Sequence, residues 1–329
     1  MVRKRKRGRL AFLLAGCLLG IYLGKVFHKG IKVPFVEPDL VWSIGIYTGK
    51  SPFNFTAPAG VKNPVLTARD VTDVPAGSLA DPFMVFANGE WHLFMEVLNQ
   101  RSKRGEIGLA TSRDGKTWRY RQIVLAEPFH LSYPYVFKFD GSYYLVPETV
   151  HSYSVRLYRA EEFPGKWTLA GILVPEPLAD PCLFQAGGKW WLFGCRMPPK
   201  QASRKDMALE VFFADHLLGP WVRHPRSPVA RGPSLARPGG RVINWDGKLV
   251  RFAQDDGDWY GRRLHALEIT RLTPEDYQEK EIPLEPPLRD SGAGWNARGM
   301  HTIDPHLLSD GSWIAVVDGQ ERVFRWGWK

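Results

Sequence analysis

Apolar positions in this chain come in short runs, each closed by a glycine, and one such phrase returns five times. It reads Ala80-Asp81-Pro82-Phe83 with Gly89-Glu90-Trp91-His92-Leu93-Phe94, then Tyr133-Pro134-Tyr135-Val136-Phe137 with Gly141-Ser142-Tyr143-Tyr144-Leu145. It returns as Asp180-Pro181-Cys182-Leu183-Phe184 with Gly188-Lys189-Trp190-Trp191-Leu192-Phe193. Arg237-Pro238-Gly239 with Asp246-Gly247-Lys248-Leu249-Val250, and Asp304-Pro305-His306 with Asp310-Gly311-Ser312-Trp313-Ile314, complete the set. A polar residue and a proline, an apolar run, a glycine turn and an aromatic run make a β-hairpin. The prolines stand 52, 47, 57 and 67 residues apart, about the period of a propeller blade.

Further strand-like runs follow each hairpin, at 107–112 and 118–123, at 155–158 and 167–169, and at 209–213 and 221–223. Four strands per repeat make one blade, so the pattern predicts an all-β, five-bladed propeller over residues 75–329. The fifth repeat offers three strands, near 303–308, 312–318 and 322–328, and cannot close a ring alone. The strand-like segment at 41–48 has no blade of its own and is expected to complete the last one, with 33–74 as linker and ring-closing strand. Two stacked β-domains are the alternative arrangement.

Composition suits many short strands: 44% of the 329 residues are apolar, with 32 glycines and 26 prolines. The net charge of +10 hints at nucleic acid until its position is read. The first 32 residues hold nine Lys and Arg and no acid, which leaves 35 basic against 34 acidic residues in the body. A nearly neutral body excludes nucleic-acid binding by a basic surface. Residues 10–27 are apolar except for Lys25 and just long enough to span a bilayer. With the basic flank on the cytoplasmic side they predict a signal anchor, a single transmembrane helix, leaving the propeller on a periplasmic, extracellular or lumenal face. A lipoprotein box at Leu14-Ala15-Gly16-Cys17 and a cleaved signal peptide are the rival readings. The first lacks a polar tether after the cysteine, the second a small-residue cleavage site. Of three cysteines, Cys182 and Cys195 lie on one hairpin, and bridges between adjacent strands are usually strained, so two buried thiols are expected.

The first strand of every blade lines the central axis, so equivalent repeat positions converge there. Aligned on the proline, Asp81, Tyr133, Asp180, Arg237 and Asp304 form a ring. Glu96, Glu148, Cys195, Gln254 and Asp318 follow at the ends of the second strands. Converging carboxylates beside an arginine and aromatic rings suit sugar chemistry, which needs a proton donor, a base for water and partners for hydroxyls.

These phrases resemble the five-bladed propellers of glycoside hydrolase family 43 and the related fructan enzymes, across residues 75–320. The resemblance implies Asp81 as general base and Asp180 as the carboxyl that tunes the acid and orients the sugar. The family's acid is a glutamate two residues before the proline of the fourth blade, where this chain has Ala236 in Ala236-Arg237-Pro238. Glu148 of Val146-Pro147-Glu148-Thr149 is the expected substitute, unless hydrolysis is lost. A nearer resemblance joins Ser132-Tyr133-Pro134, Val155-Arg156-Leu157-Tyr158-Arg159, Leu218-Gly219-Pro220-Trp221, Ala236-Arg237-Pro238-Gly239-Gly240 and Ala253-Gln254-Asp255. It is to the N-terminal propeller of plant glucosamine inositolphosphorylceramide transferases, where a separate glycosyltransferase domain follows. It implies a membrane-tethered, glycan-handling propeller: either a glycoside hydrolase, or a non-catalytic glycan- or glycolipid-binding module that assists a separate glycosyltransferase.

Substrate contacts are expected from Tyr133, Arg237, Glu96, Gln254, Asp304 and His301, and from the loop aromatics Trp259, Tyr260 and Trp295. Trp91, Trp190, Trp191 and Trp313 fall in strands and read as core. No cofactor is expected. Some family 43 members hold a channel calcium with a histidine's help, but strand alternation should part His301 from His306, so a metal shared between them is not expected. Asp255-Asp256-Gly257-Asp258 lacks the closing glutamate of a calcium loop and reads as a solvated turn.

Overall fold

A computed structural model describes residues 36–199 and 203–326. The expected anchor at 10–27 lies outside the described residues, among which no helix is long and apolar enough to cross a membrane. Val41–Glu321 forms one compact unit. A second unit takes in the strand residues up to Leu40 and from Arg322 onward, where Leu40 and Phe324 are exposed.

The main unit is a five-bladed propeller of antiparallel sheets. Blade one comprises Ala76–Ala87, Glu90–Asn99, Arg104–Ser112 and Arg119–Leu125, hydrogen-bonded in that order. Blade two comprises Ser132–Phe139, Ser142–Glu148, Val155–Glu162 and Lys166–Val174. In blade three, Leu178–Ala186, Lys189–Arg196 and Ala208–Ala214 are followed by two short outer pieces, Val222–Arg223 and Ala230–Arg231, on the third strand. Blade four has a broken inner strand: Arg237–Pro238 and Ile243–Trp245 both pair with Lys248–Asp255, and Arg263–Leu272 and Tyr277–Ile282 lie outside.

Blade five is built from both ends of the chain, in the order Ile303–Leu307, Trp313–Trp326, Val36–Ser51, Asn54–Thr56. The strand expected near 322–328 is not separate, because Trp313–Trp326 runs through without a turn. Gly319, which reads as a turn residue, serves close packing instead: a Cβ there would lie 2.4 Å from the Trp295 ring. Two N-terminal strands, not one, therefore complete the blade.

Aromatic edges hold neighbouring blades together. Phe94 meets Trp167 at 5.5 Å between ring centres, Phe139 meets Trp190 at 4.8 Å, and Phe193 meets Tyr277 at 5.9 Å. Phe53 meets Trp245 at 4.9 Å and Trp91 meets His306 at 5.3 Å, so each of the five interfaces has such a contact. Trp91, Trp190, Trp191 and Trp313 are buried, as their strand positions require. Cys182 and Cys195 are free, buried thiols. Their strands pair Cys182 with Phe193 and Ala179 with Cys195, so the two do not face each other.

One backbone device recurs in three blades. The register slips between Ala80 and Phe83, between Ser132 and Tyr135, and between Ala179 and Cys182, which marks a bulge at each blade-opening residue. Asp81, Tyr133 and Asp180 occupy those bulges with φ of 51°, 46° and 51°. The following proline disfavours the right-handed helical region there, and the left-handed one costs a non-glycine residue about 1–3 kcal/mol. Each strained residue directs its N–H to a carboxylate: Asp81 to Asp318 at 3.1 Å, Tyr133 to Asp81 at 3.3 Å and Asp180 to Glu148 at 3.2 Å. These charge-assisted bonds stitch successive blades around the axis and offset the strain.

Candidate functional site

Asp81 and Asp180 thus reach the axis by the same bulge, one from blade one and one from blade three. The Asp81 carboxylate accepts the Thr302 hydroxyl at 2.8 Å and lies 3.4 Å from His301 Nε2. His301 Nδ1 is 2.6 Å from Asp318, whose other oxygen takes the N–H groups of His301 and Thr302. The imidazole stacks on Trp42 at 3.9 Å between ring centres, and Nε2 is 2.9 Å from the Tyr260 hydroxyl. Burial alone would lower the His301 pKa, but Asp318 and Asp81 lift it to about 9. Burial pushes Asp81 up to about 6, with His301 pulling against it.

Asp180 accepts Arg237 Nε at 2.6 Å and Gln254 Nε2 at 2.7 Å. The same guanidinium lies 3.7 Å from Glu148 and 3.7 Å from Asp256, over the Tyr260 ring at 5.2 Å. Burial pushes Asp180 up to about 7 against the pull of Arg237. Gln254 also donates to the Pro238 carbonyl, and its buried Oε1 has no protein donor. Glu96, opposite Ala80 across the first hairpin, occupies the place in blade one that Glu148, opposite Ser132, occupies in blade two. Its carboxyl lies in electrostatic reach of Asp81, Glu148 and Asp180 and is raised well above the usual range, by burial first and by Asp81 and Glu148 next.

The structure therefore gathers Asp81, Asp180, Glu148, Glu96, Arg237, Gln254, His301 and Tyr260 into one cluster. Asp304 is excluded from it. It is wholly buried, paired with Arg241 Nε at 2.7 Å and His306 at 2.8 Å, and accepts the Met84 N–H. Its strand keeps regular register, so no bulge turns the carboxylate toward Asp81. Tyr133 contributes its N–H but not its ring, since the hydroxyl bonds the Gly240 carbonyl at 3.2 Å and approaches Cys182 at 3.3 Å. Trp259 is held by the Arg298 carbonyl and by the guanidinium groups of Arg262 and Arg298, away from the cluster. Trp295 covers Gly45 and Gly319 as packing.

Several contributors escape a reading of the repeat. Asp256 is no solvated turn: it is buried, accepts the Gly261 N–H and faces Arg237, because Arg237 supplies the charge that its burial requires. Trp42 and Thr302 carry no motif at all. His130, 3.4 Å from Glu96, lies outside every repeated phrase.

Asp81, His301 and Asp318 offer donor atoms within 4.8 Å of one another, close enough for a cation. His301 Nε2 is in hydrogen-bond contact with Tyr260 and Nδ1 is ion-paired with Asp318 at 2.6 Å, and calcium takes six to eight oxygens. The set suits a shared proton rather than a hard cation. His306 faces Asp304 and joins none of these donors. Among the described residues, clefts of about 400–450 Å³ lie elsewhere, along 59–65 with 114–118, along 118–121 with Leu66, and along 286–291 with Tyr47.

Sequence and fold comparisons agree with this architecture. The chain is 37% identical over 341 residues to glucosamine inositolphosphorylceramide transferase 1 of Oryza sativa subsp. japonica, covering 94% of this chain and 45% of that protein. It thus spans less than half the length of this relative. Among solved structures, the β-1,2-mannobiose phosphorylase of Listeria innocua superposes with a TM-score of 0.59 at 13% identity, over 83% of this chain and 96% of that one. A family 117 glycoside hydrolase of the marine bacterium Zobellia galactanivorans does so with 0.50 at 17% identity, over 74% and 84%. At such identities these two likenesses establish the propeller fold alone. Residues 36–320 match the family described as glucosamine inositolphosphorylceramide transferase 1, N-terminal, and with that match and the rice relative the chain belongs to this carbohydrate-related propeller family.

Proposed function

We propose that the propeller binds the sugar head of a glycan or glycolipid and hydrolyses a glycosidic bond in it. The observation that carries this reading is the matched pair of bulges presenting Asp81 and Asp180. Two carboxyls held at strained φ in one buried cluster are a cost that regular register, as at Asp304, would avoid. Asp81, raised to about 6 and flanked by a protonated His301, is ionised near neutrality and serves as the base that takes a proton from water. Asp180, with Arg237 and Gln254, orients the sugar. The Tyr260 ring and the free Gln254 Oε1 supply a stacking face and an acceptor. An N-terminal membrane tether would hold this site on the non-cytoplasmic face.

A second reading is favoured by Arg237, whose pairing with Asp180, Glu148 and Asp256 occupies three carboxylates at once. In that case the propeller is a non-catalytic module presenting a glycan to a separate glycosyltransferase. Turnover and calorimetry of the full chain in detergent, against arabinose, xylose, fructose, glucosamine and uronic-acid glycosides, separate the two. Turnover lost in Asp81→Asn while binding persists supports hydrolysis. Binding without turnover, indifferent to Asp81→Asn and lost in Arg237→Ala, overturns it in favour of the second reading.

A further inference from the structure

The family-based substitute for the missing acid sits beside a cation. Glu148 Oε2 accepts the Asp180 N–H and lies 3.7 Å from the Arg237 guanidinium. Its counterpart in blade one has different neighbours. Among the described residues, the only basic side chain within 4 Å of Glu96 is His130. The Gly105 N–H donates to His130 Nδ1 at 2.9 Å, which leaves the imidazole proton on Nε2, 3.4 Å from Glu96 Oε1. Burial, with His151 beside it at 5.9 Å between ring centres, holds His130 below its ordinary pKa and therefore neutral at pH 7. A neutral imidazole places no positive charge beside Glu96, and with Oε1 turned to its N–H, Oε2 is the oxygen left for a proton.

The chain makes room for this pair. A Cβ on Gly105 would lie 2.2 Å from the Leu131 carbonyl, 2.7 Å from Glu96 Oε1 and 2.8 Å from the His130 ring. No other side chain fits that notch without displacing one of the three. Facing Glu96 inside the cluster are Asp81, Glu148 and Asp180, three acids whose effect the charged His301 opposes. The side chain remains 16% exposed, so it is not sealed from solvent.

We propose that Glu96, oriented by His130, is the proton donor of this site, acting on the exocyclic oxygen of a glycoside. The use of that proton rests on the hydrolytic reading above. Glu96 Oε2 gives its proton to the leaving glycosidic oxygen as the bond from that oxygen to the anomeric carbon breaks. Water attacks the anomeric carbon and passes a proton to Asp81. Proton transfer from Asp81 through solvent back to Glu96 restores both groups, and the net reaction is hydrolysis. His130 is a positioning residue, since it touches Glu96 and not the reacting atoms.

Two measurements on the full chain test this. The first compares methyl and 4-nitrophenyl glycosides of whichever sugar is turned over, because a nitrophenolate leaves without protonation. Glu96→Gln should lose at least a hundredfold on the methyl glycoside and under tenfold on the nitrophenyl one, while Glu148→Gln lowers both alike. His130→Phe should move the alkaline limb of the pH profile, which the proton donor sets, and His130→Gln should largely restore it. The leaving-group pattern in Glu148→Gln instead of Glu96→Gln overturns the assignment and spares the hydrolytic reading. The second is an infrared difference spectrum, wild type minus Glu96→Gln, at pH 7. A protonated-carboxyl band supports a proton held on Glu96, and its absence overturns the proposal whatever the turnover. If no glycoside is turned over, hydrolysis and the donor role fall together, and the infrared band then reports only where the proton sits.

Discussion

Blades one to three and blades four and five open with the same phrase and use it differently. In the first three, the residue before the proline adopts positive φ and the strand bulges. In the last two it does not: Arg237 pairs with Gln254 and Asp304 with Val316 in regular register. The consequence shows in two aspartates that each stand directly before the blade-opening proline. Asp81 is aimed into a cluster with His301, Thr302 and Glu96, while Asp304 is bound by Arg241 and His306 as part of the packing around the axis. A repeat therefore specifies where a residue enters the channel, and the bulge decides what it meets there.

The sharpest break of this comparison is a matched pair of substitutions. Asp81→Asn should lower turnover by roughly a hundredfold or more, with the fold nearly intact because asparagine tolerates left-handed φ. Asp304→Asn should spare turnover but cost about 3–5 kcal/mol in chemical denaturation, since it leaves Arg241 buried and unpaired. Equal effects in the two variants would erase the distinction between the blade classes.

The pH dependence of stability sharpens it further. Asp180 is raised from 3.8 to about 7, so the native state binds the extra proton and stability falls as pH rises between those values. His301 is raised from 6.5 to about 9, and its contribution is fully present below 6.5 and lost as pH rises through 9. Asp180→Asn should flatten the first window of the denaturation midpoint and His301→Gln the second. Asp304, held below its usual range by Arg241 despite burial, acts in the opposite sense: Asp304→Asn should remove a loss of stability at acid pH only.

Smaller effects probe the packing of the two classes. Gly319→Ala drives a methyl group into Trp295 in blade five and should cost about 1–3 kcal/mol by calorimetry. Tyr133→Phe removes one bond to the Gly240 carbonyl, which Cys182 also approaches, and should cost about 1 kcal/mol.

Much of the fold was legible because hairpins announce themselves locally. Proline, apolar run, glycine turn and aromatic run repeat at blade spacing, and inner-strand residues follow from their place in the phrase. The exceptions have specific causes. Gly319 looks like a turn because a glycine's use as a turn or as a close-packing site reads alike in sequence. Asp256 looks solvated because the arginine that neutralises it lies on another strand of the blade, outside the local turn pattern. Trp259 is a loop aromatic that two arginines claim before any ligand does.

By itself, the sequence determined the period, the five blades, the hairpin edges and the residues at the head of each inner strand. Those depend on alternation and turn chemistry within a few residues. Only the tertiary structure decided which heads share a site, because the deciding partners lie far away: Thr302 and Asp318 stand 221 and 237 positions from Asp81, and Gln254 stands 74 from Asp180. The bulge geometry, the Arg237 pairings and the Glu96–His130 contact arise when ring closure brings those positions together. Burial and electrostatics then set which carboxyl holds a proton.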